Sequence, residues 1–82
     1  MTTKLDRTII AGLNPDVRKA LHDYARFPTK RNECYFVGYL SAARTFGGLL
    51  LDHYNYLLTL SGTMSRDRVL TDDVFNETLE RK

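Results

Sequence analysis

The chain has 82 residues, with 12 Lys and Arg against 10 Asp and Glu, two His, one Cys and no Trp, and a formal net charge of +2 at pH 7. That size makes one domain, close to the lower limit at which a single core suffices, and a composition 43% apolar and 27% charged excludes a disordered chain. A lone Cys34 excludes an internal disulfide, and Met1-Thr2-Thr3-Lys4-Leu5-Asp6-Arg7 has no apolar region of signal-peptide length; the expected setting is the cytoplasm.

In chain order, residues 1–13 form an arm or a short helix over Thr3 to Ala11, carrying Leu5, Ile9 and Ile10, with Gly12 as its stop. Asn14-Pro15-Asp16 is a compact helix start. Asn accepts from the first free N–H groups, Pro has no N–H to leave unsatisfied, and Asp favours the positive end of the helix. The spacing predicts a first full helix within 14–28, with Val17, Leu21 and Tyr24 inward beside Ala20 and Ala25, stopped by Phe27-Pro28. Thr29 caps the next start. From Lys30 to Leu60 there is no proline, and the apolar residues keep a helical period until Ser61-Gly62. A loop over 62–70 follows. Thr71-Asp72-Asp73 then opens a last helix over 71–81, with Val74, Phe75 and Leu79 inward and Arg81-Lys82 at its end.

The long segment, 30–61, carries two apolar seams, each stepping four and three residues alternately. One is Phe36, Leu40, Ala43, Gly47, Leu50, Tyr54 and Leu57; the other is Tyr35, Tyr39, Ala42, Phe46, Leu49, His53, Tyr56 and Leu60. Two seams imply two packing partners. One unbroken helix would measure about 45 Å, whereas a compact chain of this size has a radius of gyration of about 12 Å. The excess face would need a second chain, approaching where Ala43 and Gly47 are small. The alternative is a break at Gly47-Gly48, giving two antiparallel helices and a self-contained monomer. The continuous or gently bent helix is favoured because no polar loop residues flank the glycines. The expected fold is therefore all-α, a small helical bundle of three to four helices with one long central helix, dimeric through it. Interface candidates are Tyr35, Tyr39, Leu40, Ala43, Arg44, Gly47, Leu50 and Tyr54, with Tyr56 on the same helix.

The residues for most chemistries are missing. There is no glycine-rich phosphate loop, dinucleotide fingerprint, H-E-x-x-H or nucleophile elbow. His22, Cys34 and His53 stand at no metal-ligand spacing, so no enzyme activity, cofactor or metal is expected. His22 reads as a solvated residue and His53 as a core-edge one. Cys34 reads as a small apolar residue on the first turns of a helix, against the sharper reading of a thiol activated by Lys30 and Arg31. Cys34 to Leu51 approaches the length of a membrane span, but Arg44 lies inside it and Asp52-His53 end it, so no membrane partner is expected.

Charge is uneven along the chain, net +4 over residues 1–44 and −2 over residues 45–82. Arg18, Lys19, Arg26, Lys30 and Arg31 are interleaved with Tyr24, Phe27 and Tyr35, a combination that attracts phosphate backbones and offers rings to single-stranded bases. The expectation is a non-enzymatic protein-interaction module, a homodimer that binds a larger protein target; the alternative is a small nucleic-acid-binding protein using the basic first helix and following turn. A short chain of this kind suits an accessory protein of the sort that bacteriophage and mobile-element genes encode against host proteins.

Overall fold

The computed structural model describes residues 5–79 and folds them into five helices, α1 (Arg7–Ala11), α2 (Pro15–Arg26), α3 (Lys30–Thr45), α4 (Leu51–Met64) and α5 (Arg68–Thr78). The expected roles of Thr3, Lys4, Arg81 and Lys82 lie outside the described residues. Among the described residues there is no strand, and no helix is long and apolar enough to cross a membrane. The extents are 32 × 31 × 25 Å and the radius of gyration is 11.5 Å.

Helix α2 is the centre of the bundle, packed chiefly against α3 and α5. Its period puts Val17, Ala20, Leu21, Tyr24 and Ala25 in the core, opposite Phe36 and Leu40 of α3, Leu57 and Leu60 of α4, and Leu70 and Val74 of α5. Most of its joints are closed by short polar side chains. Asp6 Oδ1 accepts from Thr8 and Ile9 at the start of α1, Asn14 Oδ1 accepts from Asp16 at 2.7 Å, and Thr29 Oγ1 accepts from Asn32 at 3.2 Å. The α2–α3 turn is tightened by Asn32 Nδ2, which donates to the Phe27 carbonyl at 2.9 Å. Tyr24 is wholly buried. Its hydroxyl donates to the Ser61 carbonyl at 3.1 Å and lies 2.9 Å from Ser65 Oγ, tying α2 to the end of α4. On the opposite flank the Asp6 N–H donates to the Tyr56 hydroxyl at 2.7 Å; burial pushes the Tyr56 phenol above its ordinary value, against the pull of that hydrogen bond.

The long central helix over 30–61 does not form. Helix α3 stops at Thr45, and its end is a backbone motif that needs no polar side chain. The Gly48 N–H donates to the Ala43 carbonyl at 2.9 Å and the Gly47 N–H to the Arg44 carbonyl at 3.2 Å, with Gly47 in the left-handed region at φ 76°. Leu49 is buried and anchors the reversal, after which α4 starts at Leu51 without a side-chain cap. Absence of polar residues around the glycines therefore did not argue for continuity, because two glycines satisfy the orphan carbonyls with their own N–H groups.

The expected loop over 62–70 and the start at Thr71 are also corrected. Gly62 is inside α4, which continues to Met64, and Asp67 caps α5 by accepting from the Leu70 N–H at 3.1 Å. Thr71 is buried and its hydroxyl donates to the Met64 carbonyl at 2.7 Å, a stitch between α4 and α5 rather than a helix start.

Two glycine substitutions separate a required glycine from a dispensable one. Gly47→Ala should lower stability by about 1 kcal/mol through its positive φ, whereas Gly38→Ala, with nothing within 4 Å of its added Cβ, should raise it by about 0.5–1 kcal/mol. Thermal unfolding followed by circular dichroism checks both, since about 1 kcal/mol moves the midpoint of so small a domain by about 4–8 °C.

Candidate protein-interaction surface

The reversal decides which seam the core receives. Phe36 and Leu40 are wholly buried and Ala43 packs against the core, so the first seam of α3 is spent inside the protein. The second seam is left outside on α3. Tyr35 and Tyr39 are 53% and 45% exposed, and Phe46, at the end of the helix, is 87% exposed. The chain then presents Leu50 and Leu51, 67% and 53% exposed, on the far side of the reversal. Tyr35, Tyr39 and Phe46 recur at helical spacing along α3, and Leu50 and Leu51 follow just past its C-terminal corner, a concentration of exposed apolar side chains in one stretch of chain.

Of the expected interface residues, Tyr35, Tyr39, Arg44, Gly47 and Leu50 are exposed. Leu40 is a core residue, and Ala43 and Tyr54 are half-buried and pack against the core. Gly47 serves the turn. Leu40, Ala43 and Tyr54 are drawn inward by one cause: their seam meets the core of the same chain, because the helix folds back. Phe46, Leu51 and Gly38 belong to the outer surface and were outside the expected set. The signal was present in Phe46-Gly47-Gly48, a bulky residue followed by two glycines at the end of a helical period, which places that ring at a helix C-cap beyond the packed turns.

The basic residues divide. Arg26 lies over the Phe27 ring at 5.1 Å and Arg31 over the Tyr35 ring at 5.7 Å, so two guanidinium groups flank the α2–α3 turn on exposed rings. Lys30 is paired with Glu33 at 3.6 Å. Lys19 is exposed. Arg18 turns to the other side of α2, where its Nη2 donates to the Glu77 carbonyl at 3.3 Å and its Nε is buried without a partner. Tyr24 is in the core and has no ring face to offer a base.

Arg18 helps line a groove of about 570 Å³ with Leu13, Lys19, His22, Thr78 and Leu79. His22 is not a solvated residue: its ring stacks on Phe75 at 4.7 Å and its Nδ1 lies 2.9 Å from Thr78 Oγ1. Both contacts hold it as a packing group between α2 and α5. Cys34, expected as a small apolar residue, is exposed on α3. Among the described residues no three His, Cys, Asp or Glu side chains are grouped so as to hold a metal ion. No family model, no curated protein and no solved structure matches the chain.

Adjacent positions on α3 should respond oppositely to truncation. Leu40→Ala should cost about 2–5 kcal/mol as a core cavity, and Tyr39→Ala should stay within about 0.5 kcal/mol as a surface change; urea denaturation of the two variants checks the assignment.

Proposed function

We propose that the protein is a non-enzymatic interaction module that binds a larger protein target through the exposed apolar surface of α3 and the α3–α4 reversal. The observation that carries this reading is the run Phe46, Leu50 and Leu51, all exposed on one tight and anchored turn. A turn fixed by backbone hydrogen bonds holds these side chains with little left to order on binding, which is the property of a good anchor. Leu50→Glu with Leu51→Glu changes two exposed positions and leaves the core intact. Immobilised wild-type protein should capture a protein target from cell extract, and the double variant should lose it, with little dependence on salt between about 50 and 200 mM. Equal capture by both forms would sink the reading.

A second reading, single-stranded nucleic-acid binding, is favoured by Arg26 over Phe27 and Arg31 over Tyr35 at one turn. Rings already carrying guanidinium groups suit a stacked base beside a phosphate. In that case Arg26→Glu with Arg31→Glu should abolish binding of a labelled single-stranded oligonucleotide, and wild-type affinity should fall by about tenfold or more between about 50 and 200 mM salt. Fluorescence anisotropy that is flat at both salt concentrations would dismiss this reading.

A further inference from the structure

Helix α3 carries on its outer face a glycine that the fold does not require. Gly38 lies mid-helix, without a positive φ, and nothing stands within 4 Å of where its Cβ would be. Glycine is the poorest helix former after proline, so the residue is unfavourable for α3 and has no packing reason inside this chain. Helical geometry sets Cys34, Ser41, Ala42 and Thr45 on the same outer face, all exposed, with Tyr35, Tyr39 and Phe46 along its flank. Between Arg31 and Arg44 the helix has one charged side chain, Glu33, which is turned toward the Tyr24 hydroxyl and Lys30. A solvated helix face normally carries charge every turn; this one carries none for about three turns.

We propose that this face is a dimer interface, on which α3 of a second copy lies antiparallel and crosses at Gly38 and Ala42. The proposal rests on reading α3 and the reversal as an interaction surface, and it divides that surface: the helix face with Phe46 takes the second copy, and Leu50 and Leu51 remain for a target. A two-fold interface needs a patch complementary to itself. With the axis between residues 38 and 42, Gly38 meets the partner's Ala42 where the backbones are closest, and Tyr35 approaches the partner's Phe46 at each end. Depression and knobs occur on one face, so a single operation matches both. Between Arg31 and Arg44 the matched face of α3 itself brings no charge to the match; Arg31 lies over its own Tyr35, and Asp16, Lys19 and Asp23 of α2 border Tyr35 and Tyr39 on one side.

Area decides whether such a dimer is large enough to be specific. At their observed exposures Tyr35, Tyr39 and Phe46 offer roughly 400 Å² of ring surface per copy, taking about 200 Å² for a whole aromatic side chain. Buried in full together with the small residues between them, this reaches at most about 1,200 Å² in all, the lower end of specific interfaces. An interface at that lower end belongs with weak, reversible complexes, and micromolar dissociation is the expected outcome.

Light scattering and sedimentation from about 5 to about 500 µM bracket that range. The wild-type mass should rise from 9.5 kDa toward twice that value. Gly38→Leu fills the depression at a position open in the monomer, and Ala42→Glu sets a charge against the partner's helix. Both should raise the dissociation constant by at least about tenfold, with the helical circular dichroism kept and the thermal midpoint of Gly38→Leu no lower than wild type. The Cys34 thiol, on the same face, should react more slowly with a thiol reagent as wild-type concentration rises, and at a constant rate in the variants. A wild-type monomer throughout, or a dimer unchanged by both substitutions, overturns the proposal. A monomer that still loses its target when Leu50 and Leu51 are replaced removes the second copy alone; a dimer that captures nothing removes the target alone.

Discussion

The reversal at Phe46 to Leu50 is the constraint on which the rest of the structure depends. Two hydrogen bonds from consecutive glycine N–H groups end α3, and one left-handed residue turns the chain. Only because the chain turns there can Leu57 and Leu60 of α4 reach the same core as Phe36 and Leu40 of α3. A straight helix would have carried α4 away from α2, and Tyr24 would have lost the Ser61 carbonyl that its buried hydroxyl requires.

The same turn governs the surface. A chain of this size cannot bury all of its aromatic and aliphatic side chains, and folding back selects which remain outside. The seam through Leu40 goes in; the part of the other seam that lies on α3, through Tyr35, Tyr39 and Phe46, stays out. The uncharged outer face of α3 and the apolar corner after it are thus two consequences of one event. They supply both surfaces on which the functional reading is built, while the two cation–ring pairs lie at the opposite end of α3, at its start.

Much of the local structure was legible because its causes are local. Asn14 with Pro15 and Thr29 start their helices by side-chain acceptance from N–H groups two or three residues on, and such signals depend on nothing remote. The sequence points to an α5 start at Thr71, three residues beyond the actual start at Arg68. Thr71-Asp72-Asp73 looks like a cap as well as Asp67 does, and what separates them is that Thr71 is wanted elsewhere, by the Met64 carbonyl. His22 looks solvated in the sequence for a similar reason: its partners, Phe75 and Thr78, lie more than fifty positions away.

The sequence by itself determined the all-α class, the presence of two apolar seams in the long segment and the aromatic surplus of the chain, because helical period and composition are properties of neighbours. It also held the length conflict, a helix of about 45 Å in a domain of far smaller radius. Only the tertiary structure decided how that conflict was resolved. Whether two glycines bend a helix or end it depends on whether the chain beyond them gains more by packing back than by running on. Here the burial of Leu49, Leu57 and Leu60 makes ending it the better solution, and with that choice the inner and outer faces of α3 were assigned.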